Sequence, residues 1–266
     1  MDFTQSEGAR IACRLEGEPG RPVVVLSNSL ASDHRMWDPQ LPTLMKSFRV
    51  LRYDTRGHGA SEAPEDAYSI AGLGRDCLAV MDFFGVEKAH FVGLSLGGMT
   101  GQWLGAQASQ RFHSLTLCDT ASEMPSAVWD ERIAQVSDRG ISVIVETTLE
   151  RWFTPTFAGR APDDLARVRE MIQSTPAAGY IGCARAIQAM ALSPLLARIA
   201  LPTCIIVGEQ DVSTPPSEAE KLHAAIAGSE LHKIADSAHL PNIEQADIFN
   251  RALQTFLQRQ IAATVA

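Results

Sequence analysis

The sequence has few basic residues, no long apolar run and no closely spaced cysteine pair. Its 266 residues include 23 lysines and arginines against 31 aspartates and glutamates, for a formal net charge of −8. Binding to nucleic acid or to an anionic membrane surface needs a basic footprint, so we expect neither partner. No apolar run approaches the roughly 20 residues of a membrane span, and residues 1–7 lack the features of a secretory signal. These absences predict a cytoplasmic protein.

The five cysteines are odd in number, far apart and never in a CxxC pair. Cys118 and Cys204 lie inside apolar runs that are typical of buried strands. We therefore expect reduced, buried thiols rather than disulfides. No cluster of histidine and cysteine has the spacing of zinc ligands, so we expect no metal site.

Short apolar segments alternate with longer amphipathic segments such as 69–84 and 216–226. The short segments are too brief for helices, and three are rich in valine and isoleucine, as buried parallel strands are. The alternation predicts an α/β fold with a mostly parallel sheet covered on both faces, after an initial hairpin within residues 1–20. The predicted strands are 23–26, 50–53, 90–92, 115–118, 204–207 and 231–234.

Residues 122–193 interrupt this alternation. They have helical periodicity, two of the four tryptophans and several proline and glycine breaks, and only 141–145 is ambiguous between strand and helix. We predict a helical cap at 122–193, inserted into a core domain of residues 1–121 and 194–266. At this position a cap would lie over the carboxyl ends of the strands, where parallel sheets bind ligands.

The pattern Gly93-Leu94-Ser95-Leu96-Gly97 follows a predicted strand and precedes a helix-like segment from Met99 to Ala108. A GxSxG pattern between strand and helix is typical of a nucleophile elbow, in which a sharp, strained turn exposes a serine. The start of the helix would point free N–H groups at the reacting centre. We predict Ser95 as the nucleophile. A glycine-rich turn that closes an ordinary βα unit is the structural alternative.

A serine nucleophile needs a base, and the base needs an orienting carboxylate. In this kind of fold the acid and then the histidine follow the nucleophile along the chain. Asp211 and His239 each follow a predicted strand, so both would leave the sheet at the same edge as Ser95. We predict Asp211 as the acid and His239 as the base. Asp119, at the end of an earlier strand, is an alternative acid, and Glu209 is a weaker one.

The tetrahedral oxyanion formed on attack needs two N–H donors. The backbone N–H of Leu96, which follows the nucleophile, is predicted to supply one. The second is expected from the loop after the first parallel strand, Ser27-Asn28-Ser29-Leu30, and we assign it to the N–H of Leu30.

With these residues placed, the sequence resembles the 3-oxoadipate enol-lactonases, α/β-hydrolases of bacterial aromatic catabolism. The loop at Asn28 and Ser29 carries most of the specificity, because most α/β-hydrolases have His-Gly there. Ala31 departs from the family, in which a glycine is usual. The segment 150–155 resembles both enol-lactonases and cofactor-free haloperoxidase-type esterases. The resemblance rests on 26–30, 36–40, 52–59, 93–99, 208–211 and 239–244.

The resemblance implies that a small-molecule ester, an enol-lactone that carries a carboxylate, is hydrolysed through an acyl-serine without a metal or organic cofactor. A partly buried carboxylate needs a cation. We expect Arg132 to supply it, with Trp129 and Ser29 also contacting substrate, and with Arg151 and Arg185 as alternatives. Arg132 would otherwise be solvated or paired with a neighbouring acidic residue.

Two other functions stay open from the sequence. One is a broad carboxylesterase or a haloperoxidase-like perhydrolase with the same catalytic residues. The other is a ligand receptor built on a hydrolase fold. Dehalogenases and epoxide hydrolases are disfavoured because they attack with an aspartate at the elbow, where this chain has Ser95.

Overall fold

The computed structural model describes residues 1–265, which form an eight-stranded sheet in the order β1-β2-β4-β3-β5-β6-β7-β8. The initial hairpin pairs β1 with β2, and β2 lies antiparallel to β4. All other neighbours are parallel, as their alternation with helices predicts. The strands are β1 Asp2–Ser6, β2 Ala9–Glu16, β3 Val23–Ser27, β4 Arg49–Tyr53, β5 Ala89–Leu94, β6 Phe112–Cys118, β7 Thr203–Gly208 and β8 Glu230–Ile234.

Successive residues of a strand point to opposite faces of the sheet, and both faces are buried here. Val24 and Leu26 of β3 belong to one buried apolar cluster and Val25 to another. The helices are α1 Leu41–Leu44, α2 Ile70–Phe83, α3 Leu96–Gln107, α4 Ser126–Arg139, α5 Val145–Trp152, α6 Pro155–Arg160, α7 Pro162–Ser174, α8 Ala177–Gln188, α9 Ser193–Leu196, α10 Pro216–Ala225, α11 Pro241–Glu244 and α12 Ala246–Val265.

All six strands predicted from apolar runs are present. The helix after the elbow begins at Leu96, directly after Ser95, as the elbow pattern predicts. Gly97 and Gly98, which precede the helix-like segment from Met99, already belong to it. They lie in the first helical turn, where a Cβ on Gly97 would come within 2.2 Å of the Ser27 carbonyl oxygen. These glycines permit close packing of helix against strand and do not end the helix.

The chain between β6 and β7 is helical throughout its regular structure and contains α4 to α9. The ambiguous segment 141–145 forms a 3₁₀ turn followed by the start of α5. Trp129 and Arg132, two of the predicted substrate contacts, lie within α4. The division into a core of 1–121 and 194–266 and a cap of 122–193 stays a prediction.

Two further sequence expectations concern the thiols and membrane insertion. All five cysteines are buried, with free thiols. Within residues 1–265, no helix combines the length and the apolar character that crossing a bilayer requires.

Candidate active site

Ser95 lies at the junction of β5 and α3, at the carboxyl edge of the sheet. Its backbone is in the left-handed region, with φ of +56°, which strains a residue with a Cβ. Two hydrogen bonds hold it there: its N–H donates to the Cys118 carbonyl (2.9 Å), and the Thr120 hydroxyl donates to its carbonyl (2.8 Å). The side chain therefore stands at the tip of a sharp turn, the geometry expected of a nucleophile elbow.

Glycine is required beside this turn because the backbone crosses itself closely. A Cβ on Gly93 would come within 2.2 Å of the Gly97 carbonyl oxygen. Packing therefore requires glycine at both outer positions of the GxSxG pattern.

His239 and Asp211 meet below the same edge, on the loops that follow β8 and β7. The Nδ1 of His239 lies 2.8 Å from Oδ2 of Asp211. Asp211 also accepts hydrogen bonds from the Thr214 hydroxyl (2.7 Å) and the Ser213 N–H (2.7 Å). Asp211 is the acceptor in all of these hydrogen bonds, so the proton of the His239 imidazole is on Nδ1. Nε2 is therefore unprotonated and can accept a proton.

The pKa of Asp211 reflects two opposing effects. Burial disfavours its charged form, but the adjacent His239 and the hydrogen bonds from Thr214 and Ser213 outweigh burial. The pKa of Asp211 therefore lies below its usual value, and its carboxylate is ionised at neutral pH.

Asp119, the alternative acid, lies behind this pair. Its Oδ1 accepts the Gly208 N–H at 2.9 Å, and its Oδ2 is buried without a hydrogen-bond partner in the described residues. Burial, and then the charge of Asp211, raise the pKa of Asp119 well above the usual range, which disfavours the ionised form that an orienting acid needs. Glu209, the weaker alternative, is exposed.

The loop predicted to hold the second oxyanion donor packs directly on the elbow. The Gly97 N–H donates to the Asn28 carbonyl at 3.0 Å. The N–H of Leu30 has no acceptor among the described residues. Leu96 is the first residue of α3, so no carbonyl of a preceding helical turn is available to accept its N–H. Both predicted donors are thus available.

Two buried side chains shape this loop from behind. Asn28 donates to the Tyr53 carbonyl (2.8 Å) and accepts from the Trp37 indole (3.1 Å). His58 accepts the Ala31 N–H on Nε2 at 2.9 Å and faces the Arg56 carbonyl through Nδ1 at 3.1 Å. Burial lowers the pKa of His58, so it is neutral and can accept this bond. Neither residue lines the cavity; both act on the conformation of the loop.

A cavity opens over Ser95. Six of the eight predicted site residues line it: Ser29, Leu30, Ser95, Trp129, Arg132 and His239. Asp211 and Leu96 do not, because Asp211 lies behind the histidine and Leu96 is predicted to act through its backbone.

The helical segment between β6 and β7 adds lining residues that sequence analysis missed. Tyr180, Met124 and Ile187 reach the cavity, and the Trp152 ring lies 6.1 Å from the His239 ring. The resemblance at 150–155 was the available signal for Trp152; nothing in the sequence singled out the other three.

The three candidate arginines are placed differently. Arg132 and Arg151 line the cavity, whereas Arg185 is exposed and does not. The Arg132 guanidinium lies 5.0 Å from the centroid of the Trp129 ring, within cation–π range. Arg132 forms no ion pair with the neighbouring Glu131 or Asp130. These two carboxylates instead accept hydrogen bonds from the side chains of Gln135 and Gln188.

Three groups of side chains within the described residues bring possible cation ligands within 4.8 Å of one another. In two of them hydrogen bonds already use the central carboxylate: Asp211 binds His239, and Asp54 binds His34 and the Ala60 N–H. The groups are Asp119–Asp211–His239, Asp33–His34–Asp54 and Cys204–Glu230–His232.

Comparison with known proteins places this geometry in a family. Residues 22–160 match the alpha/beta hydrolase fold family. The 3-oxoadipate enol-lactonase 1 of Acinetobacter baylyi is 34% identical over 257 residues, which cover 96% of each chain. The solved enol-lactonase of Burkholderia xenovorans LB400 is 38% identical with a TM-score of 0.95, over 97% of this chain and 100% of that one. A hydrolase of Pseudomonas aeruginosa PA01 is 42% identical, with a TM-score of 0.93 over 96% and 97%. The chain is therefore a hydrolase of the α/β-hydrolase fold family and belongs with the 3-oxoadipate enol-lactonases.

Proposed function

We propose that this hydrolase opens 3-oxoadipate enol-lactone to 3-oxoadipate through an acyl-serine intermediate, in bacterial aromatic catabolism. The main support is one arrangement: the hydrogen-bonded Asp211–His239 pair reaches the cavity that Ser95 lines. The similarity to enol-lactonases suggests which ester enters that cavity.

In the proposed mechanism the Ser95 hydroxyl attacks the lactone carbonyl while Nε2 of His239 takes its proton. Asp211 holds the imidazole in the required tautomer and stabilises the imidazolium that forms. The N–H groups of Leu30 and Leu96 donate to the oxyanion. In a serine protease of a different fold, losing one such donor raises the barrier by roughly 3–4 kcal/mol.

Collapse of the tetrahedral intermediate breaks the ring bond to the enol oxygen, and His239 returns the proton to this oxygen. The enol tautomerises to a ketone, which makes it a good leaving group. His239 then activates a water molecule that hydrolyses the acyl-serine, and the second carboxylate of the product is released. The reaction as written needs neither a metal nor an organic cofactor.

The substrate carboxylate needs a cation in the cavity, and we assign Arg132 to it, with Trp129 and Ser29 beside it. The KM values of Arg132→Ala for the anionic lactone and for a neutral analogue test this role. We expect a large increase for the lactone alone; equal increases for both substrates would remove the assignment.

The test of the function is the loss of enol-lactone absorbance with purified wild-type protein beside Ser95→Ala. We expect turnover that Ser95→Ala abolishes. A wild-type rate equal to that of the variant would refute the lactonase function. The value of kcat/KM for p-nitrophenyl acetate, measured in parallel, separates a lactonase from a broad esterase, which would prefer the simple ester. The cytoplasmic location stays a prediction from sequence.

A further inference from the structure

Arg151, on α5, is a second cation in the cavity that the proposed mechanism leaves without a role. It is half-buried and lines the same space as Ser95 and Arg132. Its Nη2 donates to the Thr148 hydroxyl at 3.2 Å, while its Nε is buried without a hydrogen-bond partner. Within the described residues, neither Arg151 nor Arg132 forms a salt bridge with a carboxylate.

Both arginines line one cavity, so their like charges disfavour each other. Burial, and then the positive charge of Arg132, lower the pKa of Arg151. A cation that is partly removed from water without an anion is costly, and a second cation nearby adds to that cost. Such an arrangement is expected where the compensating charge arrives with a ligand.

Other polar atoms of the same wall also lack partners. The Trp129 indole N–H and the Ser29 hydroxyl are both buried without hydrogen bonds among the described residues, and both residues line the cavity. Buried polar groups in proteins are almost always paired. Together with the two arginines, these atoms indicate that an anionic, oxygen-rich ligand group belongs in this part of the cavity.

We propose that Arg151 joins Arg132 and the Trp129 N–H in binding one ligand carboxylate, and that Arg151 determines the preference for anionic over neutral substrates. The charge of Arg151 is relieved only when the anion is bound, so neutral esters leave it uncompensated. The identity of the substrate that Arg151 binds rests on the proposed function. The binding of a carboxylate by Arg151 does not depend on it.

Arg151→Met is the decisive variant, because methionine keeps an aliphatic stem and removes the charge. The control is Arg185→Met, which removes an exposed arginine of α8 that lies outside the cavity. Calorimetry with adipate, a simple dicarboxylate, should show at least tenfold weaker binding to Arg151→Met and unchanged binding to Arg185→Met. The ratio of kcat/KM for the anionic lactone to that for a neutral ester should fall at least tenfold in Arg151→Met.

A second measurement excludes a merely structural role. Without ligand, Arg151→Met should unfold at the same or a higher urea concentration than the wild type, because an uncompensated charge has been removed. Arg151→Lys, which keeps a cation, should retain most of the anion preference. Wild-type adipate affinity in Arg151→Met, or equal losses for anionic and neutral substrates, would overturn the proposal. If the wild type binds adipate through Arg151 but does not open the lactone, the proposed function fails and this inference stands.

Discussion

Asp211 and Asp119 are two buried carboxyl groups whose surroundings shift their pKa values in opposite directions. Asp211 accepts hydrogen bonds from His239, Thr214 and Ser213, which favour its ionised form. Asp119 accepts a single backbone hydrogen bond, and its second oxygen is buried without a partner. A general base of the serine–histidine type needs an ionised carboxylate beside it. This contrast favours Asp211 as the acid.

Replacing each carboxylate by its amide therefore has different expected results. Asp211→Asn should lower kcat by about 10³–10⁴-fold, since an amide cannot hold the imidazole in the same tautomer. Asp119→Asn should change kcat by less than about threefold, because the amide has the same shape and its oxygen can still accept the Gly208 N–H. Steady-state kinetics on any ester substrate measures both.

The matched control is Glu209→Gln, which alters an exposed carboxylate of the same loop as Asp211 and should leave kcat unchanged. A loss of activity in Asp119→Asn as large as that in Asp211→Asn, with both variants folded, would identify Asp119 as the acid.

Ala31 is a second residue whose conformation is informative. It has φ of +58°, is buried, and lies next to the predicted oxyanion donor Leu30. The left-handed region costs a residue with a Cβ about 1–2 kcal/mol, while glycine loses about 0.5–1 kcal/mol more than alanine in chain entropy. Ala31→Gly should therefore raise the free energy of unfolding by about 0.5–1 kcal/mol.

Urea denaturation checks this, with Ala134→Gly on the exposed side of α4 as the control. Glycine in a helix interior should cost about 1 kcal/mol, so the two substitutions have opposite expected signs. Destabilisation by Ala31→Gly would show that the alanine methyl group contributes more by packing than its backbone costs.

At the scale of secondary-structure elements, the sequence predicted the sheet better than the helical segment over it. The strands, the elbow at Ser95 and the loops of Asp211 and His239 could be predicted because short apolar runs and glycine spacing depend on local geometry. The cavity faces of α4, α5 and α8 could not, because Arg132, Arg151 and Arg185 all lie in amphipathic segments. Which arginine points inward depends on how the helices pack together.

A buried glutamate links that helical segment to the histidine loop. Glu244 accepts the Thr154 N–H (3.1 Å) and the Thr154 hydroxyl on one oxygen, and the Ala238 N–H (2.9 Å) on the other. Thr154 lies between α5 and α6, and Ala238 directly precedes His239. One carboxylate therefore fixes both the position of the His239 loop and its contact with the helices above.

Glu244→Gln should weaken this link, because an amide offers one accepting oxygen where the carboxylate offers two. We expect a loss of about 2–3 kcal/mol in the free energy of unfolding, the size typical of hydrogen bonds to a charged group. The value of kcat should also fall. Glu150→Gln, an exposed change in α5, is the control for both measurements. Equal, small effects of the two substitutions would contradict the role assigned to Glu244.

Across the whole molecule, buried histidines make the stability of the fold depend on pH. His90 of β5 is buried between the rings of Phe48 (5.6 Å) and His113 (5.2 Å), and its Nδ1 lies 2.8 Å from the Ser114 hydroxyl. Burial, with smaller contributions from the nearby positive charges, lowers the pKa of His90 to about 4. Burial lowers the pKa of His58 in the same direction.

A histidine whose pKa is lower in the folded chain than in the unfolded chain binds a proton preferentially after unfolding. Stability is therefore complete above pH 6.5, the ordinary histidine pKa, and falls as the pH drops from there toward 4. With a folded pKa of about 4, His90 alone should account for about 2 kcal/mol of the stability lost between pH 7 and pH 5.

His90→Gln removes the titrating group, so its free energy of unfolding should fall about 2 kcal/mol less than that of the wild type over this interval. His223→Gln, at an exposed position of α10, should follow the wild-type curve. Urea titrations at pH 7, 6 and 5 measure all three proteins, and parallel losses in wild type and His90→Gln would show that His90 does not control the acid sensitivity.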